Sequence, residues 1–126
     1  MSIKRILVAD DEDSIRWVLS KALSKQDYQV DLASTGTDAL ELSRKHSYDL
    51  AIVDIKMPGM SGLELLGKLQ KEAPRTLVVI MTAESSMKNA IEAMKGGAYD
   101  YITKPFDMEV LNAIIQKAQI VSNIHD

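Results

Sequence analysis

Short apolar runs alternate with amphipathic segments along the whole chain, and that alternation admits few folds. The runs cover residues 6–9, 28–33, 50–53, 77–81 and 99–103. A run of this length bounded by turn residues reads as a strand, and an unbroken apolar one fits a parallel sheet covered on both faces. The second run alternates Tyr28, Val30 and Leu32 against Gln29 and Asp31, which places it at or near a sheet edge. Between the runs the period changes to that of helices. Ile15, Val18, Leu19, Ala22 and Leu23 form the apolar stripe of a first helix, with Asp13 or Ser14 as its cap and Trp17 on partly buried surface. Ser34-Thr35-Gly36-Thr37 opens a second helix that reaches about His46. The third carries Leu63, Leu66 and Leu69 on one side and stops before Pro74. The fourth runs from about Ser85 to Lys95 and is closed by Gly96-Gly97. The last turns Leu111, Ile114, Ile115 and Ala118 inward. Five βα units in succession predict an α/β fold: a doubly wound, five-stranded parallel sheet with right-handed crossovers.

At 126 residues the chain is read as one domain with a real core. Its net charge of −3 gives no sign of affinity for nucleic acid or anionic membrane. The absence of cysteine excludes a disulfide, a thiol nucleophile and a thiolate metal site, and agrees with a reducing compartment. The N-terminus lacks the long apolar region of a signal peptide, and no run approaches the length that spans a bilayer, so the expected location is the cytoplasm. Most of the seven methionines are read as core filling, and His46 and His125 as solvated.

In open parallel sheets, ligands bind beyond the carboxyl ends of the strands. Four of the five runs deliver polar chemistry there: Asp10 and Asp11, Asp54, Thr82, and Lys104. Each residue taken singly has a plainer role. The acids at positions 10–13 serve as helix caps, Thr82 caps the fourth helix, Asp54 opens the turn before Pro58, and a lysine is usually solvated. Four independent strands converging on one edge weaken those readings together. Three carboxylates in one crevice repel unless a cation joins them. With neither histidine nor cysteine in the cluster, that cation is a hard one with oxygen ligands, such as Mg²⁺. A cation beside a carboxylate, a hydroxyl and an ammonium is suited to phosphoryl transfer, with the carboxylate as nucleophile.

The motifs Val8-Ala9-Asp10-Asp11 with Ile15-Arg16, residues 54–62, Met81-Thr82-Ala83 and residues 97–106 together resemble a receiver domain of two-component response regulators. Within that family, residues 14–19 and 97–101 resemble receivers of NtrC-type transcriptional activators. The resemblance implies the flavodoxin-like strand order 2-1-3-4-5. It also implies Asp54 as phosphoacceptor, Asp11 as direct Mg²⁺ ligand, Asp10 as a ligand through water, and the backbone carbonyl of Lys56 as a further ligand. Thr82 corresponds to the switch hydroxyl, Lys104 to the site lysine and Tyr101 to the switch aromatic. Lys56 and Glu84 occupy the positions that tune dephosphorylation, and the Lys104–Pro105 peptide is expected to be cis. The implied partners are a sensor histidine kinase and an output domain or docking partner. The latter would be reached through the fourth helix, fifth strand and fifth helix, with Met87, Ile91 and Met94 as apolar contributors. Phosphorylation-dependent dimerisation is a further implication. Such a domain catalyses only its own phosphorylation and dephosphorylation, and binds neither nucleic acid nor membrane directly. Residues 1–121 are assigned to the receiver and 122–126 to a tail or the start of a linker. A segment of a longer protein is favoured over a stand-alone receiver that signals by docking.

Two other functions fit the same sheet less well. An FMN module wants a Ser/Thr/Gly-rich phosphate loop after the first strand, where this chain has Asp-Asp-Glu-Asp; a flat visible spectrum excludes it. An aspartyl-phosphate hydrolase wants a second acid two residues after its nucleophile, where this chain has Lys56; turnover of a chromogenic phosphate ester would revive it. A purely structural interaction domain leaves the convergence of Asp10, Asp11, Asp54, Thr82 and Lys104 unexplained.

Overall fold

The computed structural model describes residues 3–83 and 87–124. Strands and helices alternate as β1 (Arg5–Ala9), α1 (Asp13–Ser24), β2 (Gln29–Ala33), α2 (Gly36–Lys45), β3 (Leu50–Asp54), α3 (Gly62–Glu72), β4 (Leu77–Ala83), α4 (Met87–Lys95), β5 (Asp100–Lys104) and α5 (Met108–Ile124). All strand pairs are parallel, in the order β2-β1-β3-β4-β5. The expected fold and strand order are both present. The half-polar second run is an edge strand, as its alternation predicts.

Side-chain alternation along each strand divides the core into two layers. Ile6, Val8, Ile52, Val79, Met81 and Ile102 pack with Leu19 and Leu23 of α1 and Leu111, Ile115 and Ala118 of α5. Leu7, Ala9, Ala51, Val53, Val78 and Ile80 pack with Ala39 and Leu40 of α2, Leu65, Leu66 and Leu69 of α3, and Ala93 of α4. β3 is buried at every position, as a central strand covered on both faces must be. Full burial of each large aliphatic side chain contributes about 1.5–3 kcal/mol.

Several local details differ from expectation. In α1 the sheet covers Leu19 and Leu23, but Val18 is 41% and Trp17 63% exposed. A helix meets a sheet along a narrow line; Val18 lies about 100° round from Leu19 and Trp17 about 200°. Trp17 instead carries Lys21 over its ring at 5.5 Å. The capping position of α1 is Glu12, with no side-chain cap; Asp13 is instead the first helical residue, and its carboxylate pairs with the Arg16 guanidinium. In α3, Leu65 joins Leu66 and Leu69 in the core, and Leu63 is partly covered. β5 sits one residue later than expected, so Lys104 is its last residue, opposite Ala83. The expected start of the fourth helix at Ser85, the residue Glu84 and the residue His125 lie outside the described residues. His46 is exposed, as expected. Among the described residues no helix is long and apolar enough to cross a membrane.

Candidate functional site

Parallel register brings the strand ends to one edge of the sheet. Ala9 pairs with both Ala33 and Val53, Asp54 with Met81, and Ala83 with Lys104. The residues that follow or end β1, β3 and β5 therefore meet. Asp10, Asp11 and Asp54 each place a carboxylate oxygen within 4.8 Å of the others; Asp10 and Asp54 are buried and Asp11 is exposed. Lys104 Nζ donates to Asp10 Oδ2 at 2.7 Å and stands 3.3 Å from Asp54 Oδ2.

Asp10 is tied down at every polar atom. Its N–H donates to the Ala33 carbonyl at 3.1 Å, and its Oδ1 accepts from the Glu12 N–H at 2.9 Å. Its Oδ2 accepts from Lys104, and its carbonyl accepts from Arg16 Nη1 at 2.6 Å. Full satisfaction is what a wholly buried carboxylate requires.

Asp54 is held differently. Burial, and then the neighbouring Asp10 charge, push its carboxyl up to about 6; Lys104 and the Lys56 backbone N–H only partly offset them. Lys104 is raised as well, for the opposite reason. Burial acts to lower its value, but Asp10 and then Asp54 outweigh that and hold the ammonium charged. One ammonium among three carboxylates leaves an excess of acidic groups at the strand ends. The all-oxygen donor set, with a room-facing Asp11, fits a hard divalent cation.

Thr82 lies one position beyond the partner of Asp54 on β4 and is 1% exposed. Its Oγ1 has no hydrogen-bond partner among the described residues. A buried hydroxyl in this position is a donor that an incoming acceptor can use. Tyr101, opposite Ile80 on β5, is half-buried against the layer formed with α2, α3 and α4. The Lys104–Pro105 peptide is cis.

Two supports of the site escaped the sequence reading of roles. Gly62, the first residue of α3, packs directly on the end of β3: a Cβ there would lie 2.3 Å from the Asp54 carbonyl oxygen. Its N–H donates to the Ile55 carbonyl at 2.9 Å. The other support is Arg16, in the first turn of α1, whose long side chain reaches back past the helix start to the Asp10 carbonyl. The legible signal was a glycine at a helix start for the first, and a forked donor six residues after Asp10 for the second. Lys56 is exposed, and its N–H faces Asp54.

The family model described as "Response regulator receiver domain" matches residues 6–116. The chain is 41% identical over 117 residues to the regulatory protein AtoC of Escherichia coli (strain K12), covering 93% of this chain and 25% of AtoC. It is 39% identical over 113 residues to the DNA-binding transcriptional regulator NtrC of the same strain, covering 90% of this chain and 24% of NtrC. It thus spans about a quarter of the length of these relatives. The crystal structure of a receiver domain protein from Clostridium thermocellum superposes with a TM-score of 0.92 at 33% identity, covering 98% of this chain and all of that one. That of NtrX from Brucella abortus gives 0.91 at 31% identity, covering 99% of this chain and 28% of NtrX. A buried aspartate at a sheet edge, flanked by two further acids and a lysine, thus stands on a sequence and a fold of one family: the chain belongs to the response-regulator receiver domains, with NtrC-like regulators among its relatives.

Proposed function

We propose that this receiver is a phosphorylation-controlled switch of a two-component system, in which a sensor histidine kinase passes a phosphoryl group to Asp54. The observation that carries the proposal is the setting of Asp54: a buried carboxylate 3.3 Å from Lys104, grouped with Asp10 and Asp11. An Asp54 oxygen attacks phosphorus, forming a P–O bond as the bond from phosphorus to the histidine nitrogen breaks. The imidazole leaves with the bonding pair and then takes a proton from solvent. Lys104, already poised between Asp10 and Asp54, neutralises charge on the transferred oxygens, and the Thr82 hydroxyl donates to one of them. Asp11 would hold Mg²⁺ directly and Asp10 through water, with Asp54 and the Lys56 carbonyl completing the protein ligands. When bound, the ion supplies positive charge to the phosphoryl oxygens. Lys56, two residues after Asp54, and Glu84, two after Thr82 in the sequence, occupy the positions that tune the lifetime of the phosphoryl group. The domain acts on no other substrate.

The signal leaves through α4, β5 and α5. Phosphorylation adds roughly −1.5 to −2 charges at the crowded edge, and Thr82 is drawn toward them. Tyr101, on the same side of the neighbouring strand, takes up the space that Thr82 leaves. Met87, Ile91 and Met94 stand exposed on one side of α4 and supply the apolar contact of an output domain or docking partner. Dimerisation of phosphorylated chains through this face follows the same logic. The names and lengths of AtoC and NtrC support a transcriptional output in a longer cytoplasmic protein, with DNA contacted elsewhere. A stand-alone receiver would use the same face for docking.

Intact mass after incubation with acetyl phosphate and Mg²⁺ tests the chemistry. One phosphoryl group is expected on the wild-type chain, none without Mg²⁺ and none on Asp54→Asn. Equal modification of Asp54→Asn at the same peptide rejects the assignment.

A further inference from the structure

Asp11 is the one exposed acid of the three, yet its carboxylate lies with the two buried ones. What aims it is found in the peptide planes on either side. Because a peptide unit is planar, fixing a carbonyl fixes the direction in which the next residue leaves. The Asp10 carbonyl, which shares its plane with the Asp11 nitrogen, accepts Arg16 Nη1 at 2.6 Å. The next plane is held by the Glu12 N–H on Asp10 Oδ1 at 2.9 Å. The one after is held at the Glu12 carbonyl by the Arg16 backbone N–H at 3.2 Å. Arg16 thus grips one of the two planes that bracket Asp11 and, through its backbone, the plane that follows the other. Its side chain is mostly covered, and the second prong of its guanidinium rests on Asp13, which is 94% exposed at the side chain. An ion pair so exposed contributes little by itself, so the contact to the Asp10 carbonyl is the consequential one.

We propose that Arg16 is a positioning residue of the acidic site, fixing the Asp10–Asp11 peptide plane and so aiming the Asp11 carboxylate at the bound divalent cation. The inference rests on the reading of Asp10, Asp11 and Asp54 as a Mg²⁺ site. Groups that orient a metal ligand from behind typically change metal affinity by about 10–100-fold when removed.

The sign of the effect separates positioning from charge. Deleting a cation near a cation site tightens metal binding by electrostatics alone, whereas loss of positioning weakens it. Mg²⁺ affinity of the unphosphorylated chain is measured by calorimetry for wild type, Arg16→Met, Arg16→Lys and Asp11→Asn, with an amide spectrum of each to establish folding. Arg16→Met is expected to raise the Kd about tenfold or more. Arg16→Lys keeps the charge but not the planar fork, and is expected to fall between Arg16→Met and wild type. An unchanged or lower Kd in folded Arg16→Met overturns the proposal. Should Arg16→Met fail to fold, Arg16→Lys decides: weakened binding supports positioning, and wild-type affinity overturns it. Asp11→Asn keeps the two questions apart. If it leaves Mg²⁺ binding intact, the cation reading falls and the proposal with it. If it weakens binding while both Arg16 variants do not, the role of Arg16 alone falls.

Discussion

In the proposed reaction Asp54 bears opposite demands: it must be charged to act as a nucleophile, yet the fold disfavours its charge. Its carboxyl stands near 6, against an ordinary value of 3.8, because of burial and then the Asp10 charge. A carboxyl raised on folding stabilises the fold fully below its ordinary value, and that contribution is lost as pH rises through about 6. Metal-free Asp54→Asn escapes the loss. The variant should match wild type near pH 4 and become more stable by on the order of 2 kcal/mol above pH 7. Melting in a chelator across that range checks this; a gap that does not open with pH contradicts it. Mg²⁺ should narrow the gap by binding wild type better. The carboxylates, Thr82 and Lys104 were legible because each follows or ends an apolar run. Arg16 was not, because its contact depends on how the first turn of α1 folds back over Asp10.

At the scale of elements, α3 and α4 are anchored in contrasting ways. α3 begins with Gly62 against the Asp54 carbonyl and buries Leu65, Leu66 and Leu69. Gly62→Ala forces a methyl group into that backbone contact and should cost about 1–3 kcal/mol by overpacking, with Asp54 displaced. Thermal unfolding and the yield of phosphorylated chain should both fall; a wild-type melting point and yield would show that the contact relaxes freely. α4 buries Ala90 and Ala93, small side chains that give it a shallow hold. Met87, Ile91 and Met94 recur at helical spacing, but a period shows that residues share a side, not which side faces the sheet. The structure turns that side outward. Ile91→Gln should therefore change stability by about 0.5 kcal/mol or less, as a surface substitution does. Leu66→Ala, on the buried side of α3, should cost about 2–5 kcal/mol. Comparable losses in the two variants would mean that the outer stripe of α4 carries packing.

For the molecule as a whole, the sheet is a frame that collects polar groups at one edge, and the proposed switch would pass their change to one flank. The frame was legible because five apolar runs of strand length alternate with helical periods. Its finer fit was not: the sheet alone decides that Leu19 is covered and Val18 is not, or that β5 begins at Asp100. That flank holds the Thr82 hydroxyl, without a partner among the described residues, the half-buried Tyr101 beside it and the shallowly seated α4. A ligand moves such a system only if it favours one arrangement over another. The direct test is amide exchange and chemical shift on the wild-type chain before and after beryllofluoride with Mg²⁺. The account predicts that changes beyond the immediate surroundings of Asp10 and Asp54 concentrate in residues 82–106, with Tyr101 and α4 among the largest. Changes confined to the loops that carry Asp10 and Asp54, with α4 and Tyr101 silent, would contradict it.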